Sequence, residues 1–472
     1  MKSIKRASIY LLTIIVAVGA IVGVLHLGAS LPVPHTAATA QPAASGLLEV
    51  VRTNLGHPLS HLFVQLLVVI AASRLMGSAF TRVGIPAVVG EMAAGILLGP
   101  SLLGLLFPAT FAFVFPTESL GALRLLSQIG ICLFMFAVGM ELNLSHARSK
   151  APTAVAVSHA SIVVPFLLGV TLAYFLFQDF AGSGATFTGF ALFMGISMSI
   201  TAFPVLARIL QERGLTRTPL GSTAITCAAV DDVTAWSIMA FVVAIARSNN
   251  LGGAAFALAL SLVFIAFMTL IVRRVLPRWI GNAQLSAKEP SSSTLAIILC
   301  IVIAAALSTE VIGIHALFGA FLAGTVMPNV EGFRERINLR VEKFSSVLLL
   351  PLFFAFTGLR TQVGLLDGMH DWLLCLLIIV IATIGKLGAS SIAARITGMG
   401  WRESLQLGAL MNTRGLMELI ALNLGYDLGI LSPSIFTMLV IMALVTTVLT
   451  GPLLTLFSAK PAASPADIAP AR

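Results

Sequence analysis

Charged residues are scarce in this chain. Only 10% of its 472 residues are charged, whereas an ordinary soluble domain carries about 25%, so a water-soluble globular enzyme is excluded. Cysteine is scarce as well, with four residues that all lie in apolar runs, and their spacing excludes a disulfide framework and a zinc site. The sequence also lacks the HExxH motif of zinc metalloproteases. We therefore expect no enzyme activity and no organic cofactor.

Long apolar runs take the place of charge. Hydrophobic residues make up 58% of the chain and the mean hydropathy is +1.01. At about 20 residues per crossing, the pattern predicts an all-α polytopic membrane protein with thirteen transmembrane helices. The predicted segments are 59–80, 86–106, 120–141, 151–176, 186–209, 219–246, 252–273, 292–310, 313–328, 344–360, 371–394, 404–425 and 432–457.

The ends of the chain differ from this membrane domain, which we place at 59–458. Residues 1–40 begin with basic residues, continue into an apolar stretch and end at Ala38-Thr39-Ala40, a pattern typical of a signal peptide or of an extra transmembrane helix. Residues 41–58 are expected to form a periplasmic linker, and residues 459–472 a short cytoplasmic tail with no soluble domain after it.

The distribution of basic residues orients the segments. With the N-terminus in the cytoplasm, only four of the 28 Lys and Arg residues fall outside and two fall within apolar segments. The rest lie inside, as the positive-inside rule requires. The net charge of +9 therefore indicates a lipid bilayer as the partner and not a nucleic acid. The outer residues are Arg52, Arg124, Arg247 and Arg360, and the embedded ones are Lys386 and Arg414.

Two adjacent carboxylates, Asp231 and Asp232, lie near the middle of the sixth segment. Ionisable groups at this depth are expensive and usually mark an ion pathway. Consecutive helical residues point about 100° apart, so one carboxylate can face a cavity and the other a neighbouring helix. Lys386, midway along the eleventh segment, needs an acidic partner, and we expect it to pair with one of the two.

Helix breakers interrupt the fifth and twelfth segments. Pro204 removes a backbone donor in the fifth segment, and polar Asn412 and Thr413 can satisfy freed backbone groups in the twelfth. The fifth segment is the second member of the group formed by segments four to six, and the twelfth is the second member of the group formed by segments eleven to thirteen. The two groups have opposite predicted orientations in the membrane. This pattern predicts an inverted repeat with two crossing discontinuous helices and an ion site at the midplane, as in secondary transporters. Arg414 and Glu418, one helical turn apart, are expected to pair, either as a structural element or in gating.

Six blocks of this sequence resemble the monovalent cation:proton antiporter-2 family of the sodium/hydrogen exchanger superfamily, and they are most similar to the plant-type cation/proton exchangers and their bacterial relatives. The similarity covers about residues 60–455, and these six blocks are the parts that carry it. They are GEMAAGILLGPSLLG (90–104), FAVGMELN (136–143), SMSITAFPVLARILQERGL (197–215), AAVDDVTAW (228–236), LLPLFFAFTGLRT (349–361) and NTRGLMELIALNLG (412–425).

The resemblance implies a core domain and a dimerisation domain, a homodimer, and transport by elevator-like alternating access. It implies that Asp232 is the ligand of the transported metal cation and of the proton, and that Asp231 is the partner of Lys386. Ser199 and Thr201 are implied to lie near the crossing. Many relatives carry a regulatory cytoplasmic domain that this sequence lacks, which puts ligand regulation in doubt.

The sequence therefore predicts a secondary antiporter of a cell inner (plasma) membrane that exchanges Na+ or K+ for protons, with net charge movement. A cation channel and a non-transporting membrane sensor are the alternatives on the same fold. The choice among Na+, K+ and Li+ stays open, because selectivity depends on cavity size and backbone oxygens.

Overall fold

The computed structural model describes residues 53–141, 151–216, 218–247, 251–287, 289–330 and 332–458, with a few residues between 16 and 27. The chain divides into two compact units, Met1–Gly56 and His57–Arg472. The predictions for residues 1–40 and 41–58 fall largely outside the described residues, and the prediction for 459–472 falls wholly outside them. In the first unit, the described residues between 16 and 27 are helical.

The second unit is built from helices. Among the described residues the only extended pairing outside helices is an isolated bridge between Ala181 and Leu431. The principal helices are α1 Pro58–Arg82, α2 Ala87–Leu98, α3 Leu120–Glu141, α4 Ala151–Phe180, α5 Phe187–Ser199, α6 Phe203–Glu212, α7 Pro219–Arg247, α8 Leu251–Phe267, α9 Ser292–Ile312, α10 Ala316–Thr325, α11 Phe333–Phe344, α12 Leu350–Arg360, α13 Met369–Ile396, α14 Trp401–Met411, α15 Leu416–Asp427 and α16 Pro433–Phe457. Shorter helical stretches are Leu103–Leu106, Pro108–Val114, Thr117–Ser119, Met268–Val272, Arg273–Ile280, Asn282–Leu285, Ser345–Leu349 and Val363–Leu365.

Eleven spans in the described residues are long and apolar enough to cross a bilayer. The prediction of an all-helical, multi-pass membrane protein is therefore confirmed for this part of the chain. Helices suit a bilayer because they satisfy the hydrogen bonds of every backbone group within the segment itself. Two of the thirteen predicted segments are not among the eleven. The ninth contains only the ten-residue helix α10, and the twelfth is divided between α14 and α15. The count of thirteen crossings stays a prediction.

The helices that carry the embedded charges pack together. Helix α4 packs against α5, α7 and α13, while α13 packs against α14 and α16, and α15 packs against α5. We call α4–α7 with α13–α16 the core bundle. Helices α1–α3, α9, α10 and α12 pack mainly among themselves.

Glycine permits two close helix contacts outside the core bundle. A Cβ atom on Gly358 of α12 would overlap the backbone of Gly95 on α2, and one on Gly139 of α3 would overlap the carbonyl oxygen of Phe321 on α10. Small residues let membrane helices approach to backbone contact. These contacts hold α2 against α12 and α3 against α10.

Candidate functional site

Two helix interruptions meet at the centre of the core bundle. Helix α5 ends at Ser199 and α6 begins at Phe203, while α14 ends at Met411 and α15 begins at Leu416. The Ala202 N–H donates to the Thr413 carbonyl oxygen at 3.0 Å, so one interrupted segment supplies the missing partner of the other. The Thr201 hydroxyl donates to the carbonyl oxygen of Met411 at 3.1 Å.

Pro204 lies in the first turn of α6 and not in the interruption itself. A proline is tolerated there because the first N–H groups of a helix have no intrahelical partner. The extended backbone lies just before it, with Ile200 at φ −69°, ψ 137° and Ala202 at φ −92°, ψ 96°.

Arg414 is fully buried and satisfies the C-terminal end of α5. Its guanidinium donates to the carbonyl oxygens of Ser197 at 2.6 Å and Met198 at 2.7 Å, groups that have no helical partner because the helix stops. Arg414 Nη1 also lies 3.2 Å from Glu418 Oε1, one turn along α15. The Arg414 backbone is held in turn by Thr447 of α16, whose hydroxyl accepts from its N–H and donates to its carbonyl oxygen.

Lys386, also fully buried, reaches the same end of α5 from α13. Its ammonium donates to the carbonyl oxygens of Ser199 and, at 3.2 Å, of Ser161. Its Nζ lies 3.6 Å from Asp231 Oδ2. A helix C-terminus carries partial negative charge, so two cations, Lys386 and Arg414, compensate the end of α5.

Asp231 is enclosed by donors. Its Oδ1 accepts from the hydroxyls of Ser161 at 2.7 Å and Ser158 at 3.4 Å, both on α4. Its Oδ2 accepts from the Thr201 N–H at 3.0 Å and faces the Lys386 ammonium. Through these hydrogen bonds and the contact with Lys386, this carboxylate joins α7 to α4, to α13 and to the first interruption.

Asp232 has a different environment. It is as deeply buried as Asp231, yet neither of its carboxylate oxygens has a hydrogen-bond partner among the described residues. The Phe203 N–H at the start of α6 interacts with it electrostatically, but outside hydrogen-bond geometry. A cavity of about 10 Å³ adjoins it, close to the minimum that can hold one water.

The other predicted site residues are also buried at this crossing. The Ser199 hydroxyl donates to the Gly195 carbonyl oxygen within its own helix, so its backbone and not its side chain meets Lys386. The Thr413 hydroxyl lies 3.4 Å from that of Thr450. Neither end of the Asn412 amide has a partner among the described residues. In the same part of the chain, no group of three or more His, Cys, Asp or Glu residues suits a resident metal ion.

A second charged group lies at the predicted outer side. Asp427, at the end of α15, accepts from Arg360 of α12 at 2.7 Å and from Arg124 of α3 at 3.1 Å. Arg360 also donates to Asn423 at 3.0 Å and lies over the ring of Phe356, 4.2 Å from its centroid. This cluster joins the core bundle to the surrounding helices.

Two further polar residues, Glu310 and His315, lie where α9 ends and α10 begins. Glu310 Oε1 lies 3.6 Å from Arg247, and its other oxygen accepts from the Ala316 N–H at 2.8 Å. His315 occupies the positive-φ position that opens α10, and burial lowers the pKa of its imidazole.

Sequence reasoning assigned no role to three residues of this region. Ser158 and Ser161 are polar positions in the apolar fourth segment, and that contrast is the signal that could have marked them. Trp236 belongs to the block AAVDDVTAW and lies one turn from Asp232, and its buried indole N–H has no partner among the described residues. The i, i+4 spacing places it on the same helix face as Asp232.

Comparison with known proteins yields consistent matches. The family described as "Sodium/hydrogen exchanger, transmembrane" matches residues 66–460. The Na(+)/H(+) antiporter NhaS4 of Synechocystis sp. is 43% identical over 402 residues, which cover 85% of this chain and 98% of the relative. Cation/H(+) antiporter 20 of Arabidopsis thaliana is 38% identical over 84% of this chain, which spans 48% of that longer relative.

Among solved structures, the sodium proton antiporter MjNhaP1 from Methanocaldococcus jannaschii superimposes with a TM-score of 0.60. The match covers 85% of this chain and 99% of the other, at 13% sequence identity. At this identity, the likeness establishes the fold alone.

Proposed function

Because the chain belongs to the sodium/hydrogen exchanger family, we propose that it is a secondary antiporter that exchanges a monovalent cation for protons. One observation carries the proposal at the level of residues, namely the fully buried Asp232 carboxylate without a hydrogen-bond partner in the described part of the chain. A buried, uncompensated charge is strongly unfavourable. Asp232 must therefore bind either a proton or a cation, and the two compete for it.

The charges around Asp232 support this competition. At the crossing, the described residues include five buried charged side chains. Asp231 is compensated by Lys386 and Glu418 by Arg414, which leaves Asp232 as the unpaired member of these five. With all five ionised, the site lacks one positive charge, so one monovalent ion or one proton neutralises it. A neutral site crosses the low-dielectric membrane at a much lower cost than a charged one.

We assign the roles at the site accordingly. Asp232 binds the transported cation and the proton, with Asp231 and Lys386 as the pair that positions α7. The interruption around Thr201 and Ser199 and the opposite one around Asn412 and Thr413 supply polar groups at the crossing. Pro204 starts the second half of its helix, while Arg414 and Glu418 join the end of α5 to the start of α15 and take part in gating.

The transport cycle proposed here is alternating access. The core bundle moves as one body against the other helices, and the chain forms a homodimer in a plasma membrane through those other helices. Thirteen crossings and an inverted repeat of segments four to six and eleven to thirteen fit the packing of the core bundle, in which both interrupted helices meet.

The proposal is tested with purified protein in liposomes that contain a pH-sensitive dye. Addition of Na+ or K+ is expected to move protons in the opposite direction, and the concentration dependence identifies the cation. Cation flux without proton movement would instead indicate a channel, and no flux with any monovalent cation would indicate a sensor.

Net charge movement is a separate prediction. If both an aspartate and Lys386 change protonation in each cycle, protons outnumber cations by one, and each net charge is worth about 2.3 kcal/mol per 100 mV. The Lys386 ammonium donates to two carbonyl oxygens and faces Asp231, so electrogenic exchange requires these contacts to break during the cycle.

Currents on a solid-supported membrane measure this directly. We expect a transient current on a cation jump in the wild type and its loss in Lys386→Gln. Electroneutral exchange by the wild type would contradict the prediction, and an unchanged current in Lys386→Gln would remove Lys386 from it.

A further inference from the structure

A large cavity lies beside the core bundle, between α7 and helices α8, α9 and α10. Its volume is about 560 Å³. On the side of α7 it is lined by Val233, Trp236, Ser237 and Ala240, and Phe318 and Phe321 of α10 also line it. The cavity is far larger than the space of about 10 Å³ beside Asp232.

Trp236 separates the two spaces. Among the described residues that line either cavity, it alone lines both. Its ring meets Phe318 edge-on, with centroids 4.9 Å apart and planes at 89°, and stacks near Phe321 at 6.0 Å and 27°. Three aromatic rings therefore meet at the junction between the large cavity and the Asp232 site.

The indole N–H supplies a second, independent observation. Trp236 is 6% exposed, and its Nε1 has no hydrogen-bond partner among the described residues. Leaving a buried donor unpaired costs about 1–3 kcal/mol. The indole N–H is therefore suited to bind a water molecule for part of the time. The indole face also attracts cations more strongly than any other aromatic ring.

We propose that Trp236, with Phe318 and Phe321, forms the constriction through which monovalent cations reach Asp232 from the large cavity, and that it selects for ions stripped of most of their water. The proposal rests on the antiport function proposed above and deepens it. Asp232 binds the ion, while the three rings determine which ions arrive and how much water accompanies them.

Accessibility of a cysteine beside Asp232 tests the constriction without relying on transport. Met239 lines the small cavity, so Met239→Cys, in a chain with its four native cysteines replaced by serine, reports entry of a cationic thiol reagent. We expect Trp236→Ala to raise the labelling rate about tenfold or more, equivalent to about 1.36 kcal/mol off the barrier. Phe318→Ala, on the opposite side of the junction, is expected to raise it as well. Trp236→Phe keeps a ring and is expected to change it little.

Phe264→Ala is the matched control, because Phe264 lines the large cavity but not the small one. The labelling rate of Phe264→Ala is expected to equal that of the parent, which is the Met239→Cys chain without a further substitution. Equal rates in Trp236→Ala, Phe318→Ala and the parent would overturn the proposal, and so would an equal rise in Phe264→Ala.

Selectivity gives the second measurement. In liposomes that show exchange, opening the constriction by Trp236→Ala is expected to let methylammonium compete with Na+ or K+, whereas Phe264→Ala excludes it like the parent. Failure to compete would overturn the selective role. Because labelling does not depend on exchange, a chain that labels as expected but transports nothing would refute the antiport function and not the constriction.

Discussion

Asp232→Asn is expected to reduce cation-dependent proton movement in liposomes to the level of liposomes without protein. The amide is nearly isosteric with the carboxylate but cannot alternate between a proton and a cation. The protein should remain folded, since the substitution removes an uncompensated buried charge and breaks no hydrogen bond among the described residues. Dye dequenching is compared at equal incorporation, and thermal unfolding in detergent checks the fold.

Asp179→Asn is the matched control, because Asp179 is an exposed carboxylate near the end of α4. Its exchange rate should equal that of the wild type. Wild-type exchange by Asp232→Asn would show that another group carries the ion, and a shared loss in both variants would point to a general effect of lost carboxylates.

Arg414→Gln is expected to lower the free energy of unfolding by about 3–5 kcal/mol, the usual cost of removing one partner of a buried ion pair. The substitution leaves Glu418 without its cation and frees the carbonyl oxygens of Ser197 and Met198. Thermal unfolding in detergent should therefore occur at a clearly lower temperature than in the wild type.

The double variant Arg414→Gln with Glu418→Gln is expected to recover part of this loss, because no lone carboxylate remains. Arg340→Gln provides a control at an exposed ion pair, in which Arg340 lies 3.5 Å from Glu289, and it should change the unfolding temperature little. An unfolding temperature of Arg414→Gln equal to that of the wild type would contradict a structural role for Arg414.

The positions of the long helices could be predicted from the sequence because length and apolar composition largely determine a membrane span. Ten of the thirteen predicted segments overlap a single long span, and the fifth overlaps the span in which α5 and α6 are joined. Segment nine is not such a span because α10 has only ten residues, and segment twelve is not because the interruption predicted at Asn412 and Thr413 separates α14 from α15. In both, a local turn overrides the apolar pattern.

The exact place of the first interruption could not be predicted in the same way. Pro204 marks the neighbourhood of the break, but the extended residues precede it, because their backbone groups bond to Asp231 and Thr413. Both partners are distant in sequence, so no local signal contains them. The unequal surroundings of the adjacent aspartates have the same origin, since Ser161 and Lys386 come from other helices.

The mutual bonding of the two interruptions also has a consequence for biosynthesis. The Ala202 N–H donates to the carbonyl oxygen of Thr413, which lies about 210 residues later in the chain. At about 5–20 residues per second the ribosome therefore adds Thr413 about 10–40 s after Ala202. During that interval the first broken helix lacks its acceptor, and unsatisfied backbone groups in lipid are each costly by several kcal/mol. The early half of the chain must therefore wait in a hydrated or protein-lined environment until the late half inserts, which makes the second half a requirement for the stable insertion of the first.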